Sequence, residues 1–224
     1  MTTIAIIPAG GKGLRSGLTT PKQYLKVGGK EIIVYTLQTF QKNRLINKII
    51  IAAEPEYFST LIKLVKKYKL SKVKLIVEGG STRQQSVYNA VLSSEADDND
   101  LLVVHDAARA LIPNDILTNA IVSAKKNGNA LVCIKAKDTL IKGKKLVSEY
   151  LNRDEVYYVQ TPQIFQYKDL YKALVKAEKE NFIGTDESML VRRIGKKVNI
   201  VAGSVFNFKI TTKDDVELFK KLTK

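Results

Sequence analysis

Residues 4–8 read IAIIP and run into a Pro-Ala-Gly-Gly turn at 8–11. A short apolar run stopped by turn formers spells a buried strand. From there the pattern alternates. A helix is expected over 31–42, a strand over 48–53 (KIIIAA), and a helix over 56–69 with apolar residues at helical spacing. A strand follows at 73–77, a helix at 83–94, a strand at 101–105, a helix at 114–127 and a strand at 129–134. That order implies an α/β, Rossmann-like fold, a largely parallel sheet flanked by helices on both faces. In such sheets ligands bind beyond the carboxyl ends of the strands.

The alternation stops after Cys133. Residues 135–160 hold strand-like pieces around a Lys142-Gly143-Lys144-Lys145 turn, without a helix of useful length. An isolated two-stranded ribbon is marginal in water, so this segment is expected to be an extended β-arm packed against another subunit. Helical rhythm returns at 167–180, 186–193 and 213–223, with a strand near 198–202. No Pro/Ser-rich linker or internal repeat divides the chain. One domain over 1–224 is expected, with the β-arm at about 135–158.

The chain has 224 residues, 45% hydrophobic and 26% charged, which excludes a wholly disordered polymer. Its 37 Lys and Arg against 22 Asp and Glu leave a formal charge of +15. The surplus is mostly lysine, and Lys63, Lys66, Lys67, Lys69, Lys72 and Lys74 read as a solvated face. No segment interleaves aromatics with Arg, so no nucleic-acid partner is expected. The charge can still draw anionic small molecules into a cleft. One Cys excludes an internal disulfide and fits a reducing, cytoplasmic setting, and one His excludes a multi-His metal site within the chain. Cys133, in the apolar run ALVCI, reads as a core residue. The apolar runs are far shorter than a membrane span needs, and no secretory signal opens the chain.

Three turns carry chemistry. PAGGKGLR (8–15), followed by PKQYL (21–25), lets backbone approach a ligand closely and turn amides toward phosphate oxygens, with Arg15 and Lys22 as flanking cations. It has neither a Walker ending nor the dinucleotide glycine spacing. The alternative is a glycine-rich turn with two surface cations. In VVHDAAR (103–109), Asp106 follows a buried strand where a Mg²⁺ ligand would serve a nucleotide, and Arg109 can hold a phosphate. Equally, Asp106 can cap the next turn and pair with Arg109. His105 reads as a satisfied, partly buried histidine. EGGSTR (78–83) and Ser86 lie at the same sheet edge. They read as base-reading groups with Arg83 bracing the loop, or as an ordinary strand-to-helix turn. Further along, Thr185-Asp186-Glu187 looks like a helix start with Thr185 as its cap.

Taken in order, PAGGKGLR, PKQYL, GGSTRQQSV, VHDAAR, QTPQIF, TDES and NFKITT resemble the 2-C-methyl-D-erythritol 4-phosphate cytidylyltransferases of isoprenoid biosynthesis, over residues 8–212. The resemblance implies transfer of a cytidylyl group from CTP to an alditol phosphate, with Mg²⁺ and release of pyrophosphate. It implies that Arg15 and Lys22 stabilise the transition state and that Arg153 and Lys209 orient the acceptor phosphate. It implies a CTP cradle of Ala9, Gly10, Gly11, Gly13, Gly80, Ser81 and Ser86. Asp106 matches the metal-binding position, and Arg109, Thr161 and Thr185 match acceptor contacts. It also implies a homodimer whose arms exchange, so that Arg153 completes the partner's site.

The nearest alternative keeps the chemistry and takes ribitol 5-phosphate as acceptor. A basic nucleic-acid-binding module and a catalytically dead relative are the readings from other classes. Ala110 stands where the family usually has Pro, Phe206 where it often has Asp, and Ser81 where Asp is common. No general base is required, because a phosphate nucleophile is already ionised near neutral pH, which leaves positioning and charge stabilisation as the task.

Overall fold

The computed structural model describes residues 1–11 and 20–223. The chain runs β1 (Thr3–Pro8), β2 (Lys26–Val27), β3 (Lys30–Glu31), α1 (Ile32–Lys42), β4 (Lys48–Ala53), α2 (Phe58–Lys67), β5 (Val73–Glu78), α3 (Arg83–Leu92), β6 (Leu101–Val104) and α4 (Asn114–Asn127). It continues through β7 (Asn129–Lys135), β8 (Leu140–Gly143), β9 (Val147–Leu151), β10 (Tyr157–Gln166), α5 (Tyr167–Lys179), α6 (Glu187–Arg193), β11 (Ile200–Ala202) and α7 (Lys213–Leu222). The main sheet has the order β11-β7-β10-β6-β1-β4-β5.

Alternate residues of the central strands feed two different cores, which is why these strands are apolar without a break. Ala5, Ile7, Ile49, Ile51, Leu101 and Val103 face Leu37, Phe40, Leu61 and Leu117 from α1, α2 and α4. Ile4, Ile6, Ile50, Leu102, Val104 and Phe165 face Val87, Leu170, Leu174 and Leu190 from α3, α5 and α6. A third cluster joins Val27, Ile32, Ala108, Ala110, Ile210 and Phe219, and so ties α7 and the β2–β3 hairpin to the turn after β6. The helix ends follow their residues. Thr82 caps α3 by accepting from Gln85 N at 3.0 Å, Thr212 and Asp215 form a capping box on α7, and Gly128 closes α4 in the left-handed region at φ 80°. Among the described residues, no helix is long and apolar enough to cross a membrane.

The α/β sheet with helices on both faces is as expected, but it is mixed. β1 pairs in parallel with β4 and β6, β4 with β5, and β7 with β11, while β10 is antiparallel to both β6 and β7. β10 did not read as a central strand because its buried positions include Gln160, Thr161 and Gln163. These polar groups find hydrogen-bond partners within the protein. Gln160 donates to Ser204 O at 2.9 Å, and Gln163 donates to Asp186 Oδ2 at 3.1 Å and accepts from Ser188 N at 2.9 Å.

The segment expected as an arm over about 135–158 contains a hairpin of β8 and β9 that joins no other strand among the described residues. Its ends belong to the main sheet, where Tyr157 pairs with Lys135 and Tyr158 with Ile134. Along it Ile141, Leu146, Val147 and Tyr150 are exposed, Leu146 at 84%.

Candidate active site

The parallel strands β1, β4, β5 and β6 deliver their following turns to one edge of the sheet. There a cleft of about 670 Å³ is lined by Pro8–Gly11, Lys22, Gln23, Glu54, Glu78–Arg83, Ser86, Asp106–Ala108, Lys209 and Thr211. Gln23 clips the first glycine turn. Its side-chain amide donates to Ala9 O at 2.5 Å and to Gly11 O at 2.9 Å, which fixes the turn beside Lys22. Tyr24 stacks flat on Tyr57, ring centroids 4.0 Å apart, and anchors the same short helical turn to the segment after β4.

The second glycine turn is equally constrained. Gly80 N donates to Ser86 Oγ at 3.0 Å, and Ser86 Oγ donates to Thr82 O at 2.9 Å. A Cβ on Gly80 would lie 2.2 Å from Gln85 Cγ, so the turn has no room for a side chain there.

Asp106 is the electrostatic centre of the cleft. It is 7% exposed; its Oδ1 accepts from Arg83 Nε at 2.8 Å, and its Oδ2 lies 2.8 Å from Lys209 Nζ and 3.9 Å from Arg109 Nε. Burial works to raise its pKa, but Arg83 and Lys209 outweigh burial and hold the carboxyl well below the usual carboxylate range. Lys209 is set in place by its neighbour, since Ile210 N donates to Ala108 O at 2.9 Å and the Ile210 side chain is buried in the third core cluster. Behind Asp106, its own N–H donates to Thr161 Oγ1 at 3.1 Å, and that hydroxyl lies 3.0 Å from His105 Nδ1. His105 Nε2 lies 3.1 Å from Arg109 O. The ring is fully buried, beyond the partly buried state expected, and burial lowers its pKa to about 4. A neutral ring with its proton on Nε2 satisfies both contacts.

The sequence-derived residues therefore separate into groups. Ala9, Gly10, Gly11, Lys22, Gly80, Ser81, Ser86, Asp106 and Lys209 share the cleft. Arg109 and Thr161 sit beside it: the guanidinium donates to Asn207 O at 2.7 Å, and the Thr161 hydroxyl is buried behind Asp106. Thr185 is exposed just before α6 and is not the helix cap. Asp186 is, because its carboxylate reaches Met189 N at 2.8 Å while also taking Ser188 Oγ. Arg153 is exposed at the foot of the hairpin, with its Nη1 3.4 Å from Lys137 O, and stands apart from the cleft of its own chain. Gly13 and Arg15 fall outside the described residues. Ala110 is buried in the third cluster, whereas Phe206 is 54% exposed.

Sequence reading missed the full part of Arg83 and took Glu187 only as part of a helix start. Glu187, 1% exposed, accepts from Arg83 Nη1 at 2.6 Å and Nη2 at 3.0 Å. The available signal was an acid in the first turn of a helix otherwise reading as apolar on its inner face.

Among the described residues, no group of three or more His, Cys, Asp or Glu side chains is placed to hold a metal. The donor set fits Mg²⁺ only as an ion held between one carboxylate, Asp106, and the phosphate oxygens of a nucleotide, which is the usual manner for this cation.

Comparison with known proteins agrees with this geometry. Residues 3–222 match the family model described as 2-C-methyl-D-erythritol 4-phosphate cytidylyltransferase. The enzyme of that name from Clostridium acetobutylicum is 42% identical over 223 residues, covering 98% of this chain and 96% of its own. Its counterpart from Geobacter metallireducens is 38% identical over 228 residues, covering 100% and 98%. Among solved structures, the 2-C-methyl-D-erythritol 4-phosphate cytidylyltransferase of Francisella tularensis superposes with a TM-score of 0.84 at 32% identity, covering 99% of both chains. The 4-diphosphocytidyl-2C-methyl-D-erythritol synthase of Anaerococcus prevotii gives 0.86 at 29% identity, covering 99% and 95%.

Proposed function

The chain belongs to the 2-C-methyl-D-erythritol 4-phosphate cytidylyltransferase family, and from that premise we propose how its residues divide the work. The enzyme transfers the cytidylyl group of CTP to 2-C-methyl-D-erythritol 4-phosphate, a step of isoprenoid biosynthesis. An oxygen of the acceptor phosphate attacks the α-phosphorus, the bond from that phosphorus to the bridging oxygen breaks, and pyrophosphate leaves with the electron pair. Ribitol 5-phosphate is not the favoured acceptor.

In our reading Ala9, Gly10, Gly11, Gly13, Gly80, Ser81 and Ser86 cradle CTP, with Arg15 and Lys22 stabilising the charge that builds on the triphosphate. Asp106 would hold Mg²⁺ together with the nucleotide phosphates, and the ion would supply neutralisation of phosphate charge when bound. Lys209 leaves its pair with Asp106 for the acceptor phosphate. Arg109 joins it by exchanging its long 3.4 Å contact to Val159 O. Thr161 acts from behind, through the Asp106 N–H that its hydroxyl accepts. Thr185 contributes at the rim.

Arg153 works in trans. The exposed apolar surface of Ile141, Leu146, Val147 and Tyr150 supports a homodimer built through the β-arm of one nucleotidyltransferase domain. A single buried cysteine supports a reducing, cytoplasmic setting.

The observation that carries this assignment is the meeting of Lys22, Asp106 and Lys209 with both glycine turns in one cleft. The test is pyrophosphate release with CTP and Mg²⁺, comparing the two alditol phosphates side by side. Strong preference for methylerythritol phosphate is expected; preference for ribitol phosphate would overturn the acceptor and keep the mechanism.

A further inference from the structure

Four charged side chains from four distant stretches form one line across the sheet edge. Glu187 holds both terminal nitrogens of Arg83, at 2.6 and 3.0 Å; Arg83 Nε holds Asp106 Oδ1 at 2.8 Å; Asp106 Oδ2 holds Lys209 at 2.8 Å. Asp106 and Lys209 line the cleft, but Glu187 does not. Its side chain is 1% exposed and is paired with Arg83. A buried carboxylate needs a fixed counter-charge, so the guanidinium is committed on that side. Because a guanidinium is a rigid planar fork, fixing its two terminal nitrogens also fixes the direction of Nε. That direction decides which oxygen of Asp106 is occupied from behind and which is left facing Lys209.

The element carrying Glu187 is itself braced. Asp186 caps α6 through Met189 N at 2.8 Å, and its other oxygen takes Gln163 Nε2 at 3.1 Å from β10. The orientation of Asp106 is thus referred to the core of the sheet, by way of a residue 81 positions later in the chain (187 − 106).

We propose that Glu187 is a positioning residue for cytidylyl transfer, acting through Arg83 to aim Asp106 Oδ2 at Lys209 and the cleft. This rests on the roles given above to Asp106 and Lys209. Without the Glu187 carboxylate, Arg83 is free to turn its fork onto Asp106, take both oxygens and close the carboxylate to the cleft. A neutral amide at 187 keeps the volume and loses the hold.

The experiment compares Glu187→Gln with Asp106→Asn and Lys209→Ala, using steady-state pyrophosphate release together with calorimetric binding of CTP. Glu187→Gln is expected to lower kcat roughly 10- to 100-fold, the scale of a small misplacement of reacting groups. Its KM for CTP should stay within about twofold, with one CTP still bound per chain, a split that a partly unfolded sample does not produce. On an Arg83→Gln background the same change should cost less than about threefold more, because its path is already cut. Wild-type kcat in Glu187→Gln, while Asp106→Asn and Lys209→Ala are inactive, overturns the inference and leaves the site assignment standing. Full activity in Asp106→Asn and Lys209→Ala overturns that assignment itself. Should Glu187→Gln not fold, Arg83→Lys carries the test: it keeps the charge but cannot span both carboxylates. The same kcat-selective loss is expected there, and unchanged turnover overturns the proposal.

Discussion

Around Asp106 the two carboxylates are buried and their cations half-buried, within 3.0 Å of their partners along the line from Glu187 to Lys209, and anchored to three different secondary elements and a core cluster. Around the β8–β9 hairpin the charges are exposed and loose, as in Lys142 with Glu149 at 3.7 Å, both sides more than half exposed. The apolar residues are reversed as well: none of the strand residues beneath Asp106 is wasted on solvent, whereas Leu146 is 84% exposed. The sheet edge can be finished by one chain. The hairpin has apolar surface that a second copy can cover, and at its foot stands Arg153, which does not line the cleft of its own chain. In the function proposed above, the charge to be aimed sits in the packed region and the charge to be shared sits on the exposed one.

The sharpest way to break that contrast is to remove a cation from the rigid side. Lys22→Ala and Lys209→Ala are each expected to lower turnover by roughly a hundredfold or more, measured as pyrophosphate release, with thermal midpoints near wild type. Wild-type turnover in both would remove the cleft from the chemistry. On the open side, Arg153→Ala should also be strongly impaired, but its loss should be shareable. Mixed with Lys22→Ala and allowed to exchange subunits, it should recover up to roughly a quarter of wild-type activity, since half the random dimers then hold one complete site of two. No recovery after verified exchange would place Arg153 in its own chain's site or outside catalysis.

Stability should separate the two regions next. Phe165→Ala, fully buried near the end of β10, is expected to cost about 3–5 kcal/mol in denaturant unfolding. Tyr150→Ala, 71% exposed on the hairpin, should cost less than about 0.5 kcal/mol in the isolated chain, with any larger effect appearing only as a shift of the dimer equilibrium.

A pH dependence is expected as well. Burial lowers the His105 pKa from 6.5 to about 4, so unfolding exposes a ring that takes up a proton more readily. The contribution is therefore intact above pH 6.5, declines by about 1.4 kcal/mol per pH unit as pH falls toward 4, and then levels off. A His105→Gln variant should lack that slope between the two values; an unchanged slope would assign it to other groups.

Most of the sheet was legible because buried parallel strands are unbroken apolar runs, as in IIIAA at 49–53 and LLVV at 101–104. The cleft was legible too, since glycine turns after such strands have few other uses together. What escaped were the places where polar residues go inside. Gln160, Thr161 and Gln163 disguised β10, and the partners that make them acceptable lie up to 56 residues away. Glu187 looked like a helix-start acid because its counter-charge is 104 positions earlier. Asp186 rather than Thr185 caps α6 for a local reason: its carboxylate sits at the right step to meet Met189 N.

The insertion of β10 between β6 and β7 also sets a schedule for synthesis. Strands β6, β1, β4 and β5 are complete once residue 104 has emerged, yet the hydrogen-bonding edge of β6 waits for residues 163–166. At ribosomal speed those 62 residues (166 − 104) take roughly 3–12 s. Through that interval the nascent chain presents an apolar strand edge with no partner of its own. A message truncated between these points would release a half-sheet ready to pair with its neighbours, which makes this enzyme's burden on chaperones a matter of strand order rather than of final stability.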